Sequence, residues 1–215
     1  MRSSRSANIR GEKAAWSLDT SPHVGPVRDA VRNWVCGAAP APGLLLHGSP
    51  GTGKTGLVVG ILREIVGSGL GDPGRWDYCN TERVLQRAER NGEFPPFAPV
   101  WYEWWPSLLR RFAESVKEDD PDGESRFSFS QLQREMARHV RVLALDDFDI
   151  PSATPFREEV MVWVLDEFLG GGKRLIVTTN RAEPEELLAS IGERATSRLL
   201  GSSFVRVHTG TRDMR

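Results

Sequence analysis

Residues 48–55 read Gly48-Ser49-Pro50-Gly51-Thr52-Gly53-Lys54-Thr55, which fills every fixed position of the pattern G-x-x-x-x-G-K-[ST]. The apolar run 43–47 precedes this stretch, and residues 57–62 follow it with the composition of a helix. A buried strand, a glycine-rich loop and a helix are the context in which this motif, the P-loop, holds phosphate. A chance glycine-rich loop rarely meets all of these conditions. The stretch therefore predicts an α/β nucleotide-binding fold.

The residue types in the P-loop indicate how each part would bind ATP. Glycines have no Cβ, so the backbone N–H groups can turn inward around phosphate oxygens. The N-terminus of the following helix adds partial positive charge. We expect Lys54 to reach the β- and γ-phosphates and the Thr55 hydroxyl to ligate Mg²⁺. All eight residues of the loop are therefore assigned to ATP binding.

Further apolar runs alternate with helical patterns along the chain. Strands are predicted at residues 99–105, 140–145, 174–180 and 204–207, and helices at 24–34, 106–112, 129–138, 157–168 and 183–191. Buried strands that alternate with helices favour a parallel sheet with helices on both faces. No helical lid domain is predicted after the last strand.

The length and composition favour one ordinary domain. The chain has 215 residues, of which 39% are hydrophobic and 27% are charged. We expect residues 1–22 to form a flexible N-terminal segment, in which Trp16 and Leu18 are apolar enough to dock on the core. Residues 23–215 are then the ATPase core, and residues 72–99 have the character of an insertion.

Charge and cysteine content limit the classes of partner and compartment. The net charge is −1, so no global field attracts nucleic acid and any DNA contact needs a local patch. Cys36 and Cys79 lack metal-ligand spacing and fit reduced thiols in a cytoplasmic protein. No signal-peptide pattern is present, and no apolar run approaches the roughly 20 residues that span a bilayer. We therefore expect a cytoplasmic protein without a membrane partner.

Two adjacent carboxylates end the predicted strand 140–145. In a parallel sheet the carboxyl ends of the strands line the crevice beside the P-loop. Asp146 is therefore placed to hold Mg²⁺, and Asp147 to orient or deprotonate an attacking water. The alternative is a pair of acidic residues that caps the next loop, and the P-loop context favours the functional interpretation.

Two further polar groups are candidates for catalysis. Asn180 ends the next strand, where its amide could bind the γ-phosphate or the lytic water, although Thr178 or Thr179 could serve instead. The alternative for Asn180 is a side chain that closes a turn. Arg194 and Arg198 lie one helical turn apart, and an arginine from a neighbouring subunit can stabilise the transferring phosphoryl group. By itself this spacing is more typical of a solvated helix face.

An aromatic cluster could bind single-stranded DNA by stacking on bases. Its members, with two following arginines, are Phe94, Phe97, Trp101, Tyr102, Trp104, Trp105, Arg110 and Arg111. Such clusters more often form core or interface. The four histidines have no ligand spacing and receive no role.

Taken together, these motifs resemble the DnaC-type replicative helicase loaders and IstB-type transposition helpers, a family of AAA+ ATPases. The resemblance covers about residues 24–215 and rests on the P-loop and on residues 142–147, 175–180 and 191–199. It implies that Arg198 occupies the arginine-finger position, that the chain forms an ATP-dependent homo-oligomer, and that its partner is a replicative helicase or a transposase. Gly56 departs from the family pattern, which usually has a larger residue there.

The resulting expectation is a DnaC-like ATPase that couples ATP binding and hydrolysis to assembly of a partner on DNA. A transposition helper of the IstB type is the first alternative. A P-loop kinase of a small molecule is another, although the combination of Asp146, Asp147, Asn180 and Arg198 argues against it. A nucleotide-dependent adaptor that hydrolyses ATP poorly also stays open.

Overall fold

The computed structural model describes residues 16–23, 25–68, 90–91, 97–117, 129–149 and 154–213. The elements follow in the order α1 (Pro26–Val35), β1 (Gly43–His47), α2 (Lys54–Gly67), β2 (Val100–Trp104), α3 (Trp105–Lys117), α4 (Phe129–His139), β3 (Val142–Asp146), α5 (Pro155–Phe168), β4 (Arg174–Thr179), a 3-10 turn (Pro184–Leu187), α6 (Leu188–Ile191), α7 (Glu193–Leu200) and β5 (Phe204–His208).

Five parallel strands form one sheet in the order β2-β3-β4-β1-β5. In register, His47 at the end of β1 lies opposite Thr179 of β4 and His208 of β5. Trp104 at the end of β2 lies opposite Asp146 at the end of β3. The carboxyl ends of all five strands therefore meet at one edge, where the P-loop leaves β1.

Alternating strand side chains supply two separate hydrophobic clusters, one on each face of the sheet. Leu45, Leu143 and Val177 point toward the helices α3, α4 and α5. Leu44, Ala144 and Ile176 point the other way, toward α1 and α2. Both faces of each central strand are buried, which explains the continuous apolar runs in the sequence. The predicted α/β fold with helices on both faces is confirmed.

The helix predicted at residues 183–191 is interrupted. A 3-10 turn covers Pro184–Leu187, α6 follows for one turn, and Gly192 at φ 85° separates α6 from α7. A φ of this sign favours glycine, so the chain changes direction there instead of continuing as one helix.

Three members of the aromatic cluster belong to the core. Phe97, Trp101 and Trp105 are almost completely buried in the cluster that α3, α4 and α5 form with the sheet. The rings of Trp105 and Phe148 lie 4.8 Å apart, as do those of Phe97 and Trp101. These three side chains therefore follow the core interpretation and not the DNA-stacking alternative, because none of their faces is open to a ligand.

Several expectations concern residues that are described only in part. Residues 1–15 and most of the predicted insertion at 72–99 lie outside the described residues, as does Phe94. Within the described part of the N-terminal segment, Leu18 is buried beside α2, and Trp16 is partly exposed. Among the helices that the structure describes, none combines the length and apolar character needed to cross a membrane.

Candidate functional site

The P-loop connects the end of β1 to the start of α2 and takes a conformation that requires glycine. Gly51 and Gly53 both have φ 80°, a value that L side chains rarely adopt. A Cβ at Gly53 would also lie 3.2 Å from Nε2 of His23, and one at Gly51 would collide with the Asp213 carboxylate. Glycine at these two positions therefore allows both the turn of the loop and the close approach of His23 and Asp213 to it.

Lys54, the first residue of α2, is a buried cation within the loop. Its Nζ donates hydrogen bonds to the carbonyl oxygens of Gly48 and Ser49 at 2.8 and 2.9 Å. Burial lowers the pKa of Lys54, and the charges of Asp147, Asp146 and Asp149 act in the opposite direction. Among the described residues no hydrogen bond joins Lys54 to a carboxylate, so its ammonium can exchange carbonyl oxygens for phosphate oxygens.

Asp146 is a buried carboxylate that accepts hydrogen bonds from three hydroxyl groups. Its Oδ2 accepts from Thr55 Oγ1 at 2.8 Å and from the Tyr102 hydroxyl at 2.7 Å, and its Oδ1 accepts from Thr178 Oγ1 at 2.6 Å. Burial and the Asp146 charge raise the pKa of Tyr102 well above its usual range, so the phenol stays a neutral donor. The structure thus brings together Thr55 and Asp146, the two predicted metal ligands.

The donor set around Asp146 fits a magnesium ion. Carboxylate and hydroxyl oxygens are the hard ligands that Mg²⁺ prefers, and such sites commonly use one carboxylate together with phosphate oxygens. Thr55 and Asp146 would hold the ion, which would supply positive charge beside the bound phosphates. Among the described residues no group of three or more His, Cys, Asp or Glu side chains could form an all-protein metal site.

Asp147 has a backbone conformation that sets it apart. Its φ is 56°, and it is the one non-glycine residue with a positive φ in the described part of the chain. The carboxylate accepts hydrogen bonds from Asn180 Nδ2 at 2.9 Å and from Trp104 Nε1 at 3.2 Å, and its backbone N–H donates to Thr178 Oγ1. A fixed left-handed residue at the end of a strand is typical of functional sites.

Lys54, Thr55, Asp147 and Asn180 line one cavity, which has a volume of about 580 Å³. This volume lies within the range of small-molecule sites. Its lining includes the P-loop residues Pro50–Thr55 with Gly56, and Asp147 and Asn180. The N-terminal segment contributes Trp16, Ser17, Thr20, Ser21 and Pro22.

Arg198 lies away from this cavity, on α7. Its guanidinium donates to both carboxylate oxygens of Asp166 on α5, with Nε–Oδ1 and Nη2–Oδ2 distances of 2.5 and 3.1 Å. A third hydrogen bond reaches the backbone oxygen of Arg194. Within one subunit, Arg198 therefore does not contact the residues that line the cavity.

Several residues that shape the site were not assigned to it from the sequence. Tyr102, Trp104 and Asp149 are three of them. Asp149 accepts hydrogen bonds from the Thr179 hydroxyl and from the Asn180 backbone N–H, so it fixes the end of β4. The position of Asp149, two residues after the Asp146-Asp147 pair, is a sequence signal for it. No local signal identifies the two aromatic residues, because only the β2–β3 register brings them to Asp146 and Asp147.

Comparisons with known proteins give matches among solved structures alone. No family model matches the sequence, and no curated protein matches it. The crystal structure of the DnaC helicase loader superposes with a TM-score of 0.63 at 18% identity, covering 93% of this chain and 99% of that one. The crystal structure of DnaI superposes with a TM-score of 0.64 at 18% identity over the whole of both chains.

The AMPPCP-bound DnaA of Aquifex aeolicus gives a TM-score of 0.57 at 18% identity, over 89% of this chain and 50% of that one. The chain has the AAA+ fold. The resemblance inferred from the motifs is thereby confirmed at the level of the fold. In this AAA+ fold the P-loop lines one cavity together with Asp147 and Asn180, the residues that directly follow β3 and β4.

Proposed function

We propose that this protein is a Mg²⁺-dependent ATPase that binds ATP in the cavity at the carboxyl edge of the sheet. The observation that carries the proposal is the convergence there of the P-loop with Asp147 and Asn180. The P-loop, Asp147 and Asn180 belong to three different motifs. A P-loop with only a structural role would not need Asp147 and Asn180 beside it.

The proposed roles follow from the contacts of each residue. The backbone N–H groups of the P-loop bind the phosphates, and Lys54 transfers its hydrogen bonds from carbonyl oxygens to the β- and γ-phosphates. Asp147 orients the attacking water and accepts its proton. Asn180 donates to the Asp147 carboxylate and lines the cavity, and its proposed role is to bind the γ-phosphate or the lytic water.

The proposed biological role is that of a DnaC-like loader, which couples the ATP cycle to assembly of a replicative helicase on DNA. Two solved structures support it. One is described as the DnaC helicase loader. The other, DnaA bound to AMPPCP and single-stranded DNA, superposes on this chain with a TM-score of 0.57. The helicase-loader description supports a replicative helicase as the partner, and a transposase stays the alternative. In this role the protein would be cytoplasmic and would assemble into an ATP-dependent homo-oligomer.

Replacement of Lys54 by alanine tests the nucleotide site. Lys54→Ala should abolish tight binding of a fluorescent ATP analogue, because the buried ammonium that would contact the phosphates is lost. The free energy of unfolding should change by no more than about 1 kcal/mol, since burial of that charge already offsets its two hydrogen bonds. A thermal melt is the control for folding, and unchanged affinity in the folded variant would refute the assignment.

A further inference from the structure

The N-terminal segment is attached to the nucleotide-binding helix along one face. A Cβ at Gly60 would lie 2.8 Å from the backbone nitrogen of Leu18, and one at Gly56 would lie 3.2 Å from Cε3 of the Trp16 ring. One turn beyond Gly60, Arg63 Nη1 donates to the Trp16 carbonyl at 2.7 Å. The two glycines thus form a groove on α2 in which residues 16–18 lie.

Further contacts fix the segment in place. The Leu18 side chain is buried in the cluster that α1 and α2 form with the sheet. Asp19 forms an ion pair with Arg32 of α1, and Arg28 donates to the His23 carbonyl at 3.0 Å. Trp16 therefore has a defined position at the start of α2, and 38% of its surface stays exposed.

The position of the P-loop determines which part of a nucleotide faces Trp16. Lys54, Thr55 and Asp147 suit the triphosphate and the metal, so these groups of the nucleotide occupy their part of the lining. The N-terminal part of the lining consists of Trp16, Ser17, Thr20, Ser21 and Pro22, none of which carries a charge. The Ser17 and Thr20 hydroxyl groups already pair with each other at 2.9 Å. With Trp16 against Gly56, beyond Thr55 on α2, this part offers an aromatic surface in a neutral environment, which suits a nucleobase.

We infer that Trp16 binds the base of the nucleotide and that Gly56 sets the position of its indole ring. This inference rests on the proposed function of the cavity and adds the residue pair that governs base selectivity. Stacking on an indole uses the face of the base and not its edge, so adenine and guanine should bind with similar strength. A pyrimidine offers a smaller face and should bind more weakly.

Three ligands distinguish binding of the base from binding of the phosphates: ATP, CTP and inorganic tripolyphosphate, which has neither base nor sugar. Wild-type protein should bind ATP more tightly than CTP. Trp16→Leu keeps an apolar side chain against Gly56 but removes the aromatic face, so ATP affinity should fall roughly tenfold or more. Trp16→Phe keeps a ring and should retain most of that affinity. Tripolyphosphate should bind equally to all three proteins.

Substitution of the groove provides an independent variant that leaves Trp16 intact. Gly56→Val places a branched side chain where the ring lies, which should displace Trp16 and weaken ATP binding more than tripolyphosphate binding. Gly67→Val is the matched control, because Gly67 belongs to the same helix and a Cβ there meets no atom within 4 Å. It should leave the affinity for all three ligands unchanged.

The results also distinguish the base assignment from the proposed function. If Trp16→Leu weakens ATP and tripolyphosphate equally, or weakens neither, the base assignment is refuted while the phosphate site stands. If Lys54→Ala leaves the binding of all three ligands unchanged, the proposed function is refuted.

Discussion

Asp147 combines an unusual backbone conformation with a side chain fixed from two directions. Asparagine is among the few residues that also tolerate a positive φ, so Asp147→Asn should preserve the φ of 56°. The amide cannot act as a base or carry charge. We therefore expect Mg·ATP affinity to change by no more than a few fold, while the hydrolysis rate falls by about 10² or more.

Single-turnover release of phosphate at saturating ATP measures the effect of Asp147→Asn on chemistry alone. A thermal melt within a few degrees of wild type would show that the turn is intact. Equal hydrolysis rates for the variant and the wild type would show that Asp147 is a structural cap of the loop after β3.

The site residues differ in how far the sequence could predict them. The P-loop, Asp146, Asp147 and Asn180 belong to contiguous motifs at the ends of apolar strands, and the structure brings them to one region. The sequence indicates Thr178 only as an alternative to Asn180, yet its hydroxyl donates to the Asp146 carboxylate and accepts from the Asp147 backbone N–H. Such a double contact depends on the β3–β4 register, which no local pattern specifies.

At the scale of single elements, the junction of β2 and α3 places two adjacent tryptophans in opposite environments. Trp104 ends the strand with half of its surface exposed, and Trp105 begins the helix with none exposed. The sequence could not predict which of the two tryptophans is buried, because the aromatic run does not indicate the residue at which the strand ends and the helix begins. Only the position of that boundary determines which ring faces the core.

This pair gives a matched test of the DNA-stacking hypothesis. Trp105→Ala removes a fully buried ring and should cost about 3–5 kcal/mol of stability. Trp104→Ala should cost less, about 1–2 kcal/mol, because half of its surface is already exposed and its ring makes one hydrogen bond, to Asp147. If Trp104 stacks on a base, its loss should also weaken single-stranded DNA binding by about 1–3 kcal/mol.

Chemical denaturation and fluorescence anisotropy with a labelled oligonucleotide measure the two effects of Trp104→Ala and Trp105→Ala separately. Unchanged DNA affinity in the Trp104→Ala protein would contradict the DNA-binding hypothesis for the one exposed aromatic residue among the described members of this cluster.

Across the whole molecule, the strand order places β1 between β4 and β5. The P-loop that follows β1 is therefore flanked by a neighbouring strand on each side. The fold class was predictable because each central strand is apolar on both faces. The order of the strands was not predictable, because the composition of a strand does not indicate which strands a crossover connection places beside it. Likewise, no pattern in α7 predicted that Arg198 would pair with Asp166 on α5.

Two carboxylates of α5 hold α7 in place. Glu158 Oε1 accepts from the Arg194 backbone N–H at 3.2 Å, and Asp166 accepts from the Arg198 guanidinium. Because Arg198 lies on a helix outside its own cavity, an arginine finger at this position would have to act on the nucleotide of a neighbouring subunit. This role stays a prediction, and it requires self-assembly.

Arg198→Ala tests that requirement, with Asp166→Asn as the control. Loss of the exposed ion pair should cost either variant less than about 1 kcal/mol of stability. Arg198→Ala should bind ATP normally but hydrolyse it about 10³-fold more slowly, as expected when a finger supplied in trans is lost. Asp166→Asn retains the arginine and should keep most of the activity, so a defect confined to Arg198→Ala excludes a purely structural role.

Mixing then shows whether the arginine acts between subunits. Arg198→Ala subunits supply an intact P-loop and Lys54→Ala subunits supply an intact arginine, so a mixture of the two inactive proteins should recover part of the hydrolysis. The specific activity of wild-type protein should also rise with protein concentration, because each complete site needs two chains. Activity independent of concentration, together with no recovery on mixing, would mean that a single chain hydrolyses ATP alone. The pairing of Arg198 with Asp166 would then be its structural role, and the oligomeric AAA+ mechanism would not apply to this protein.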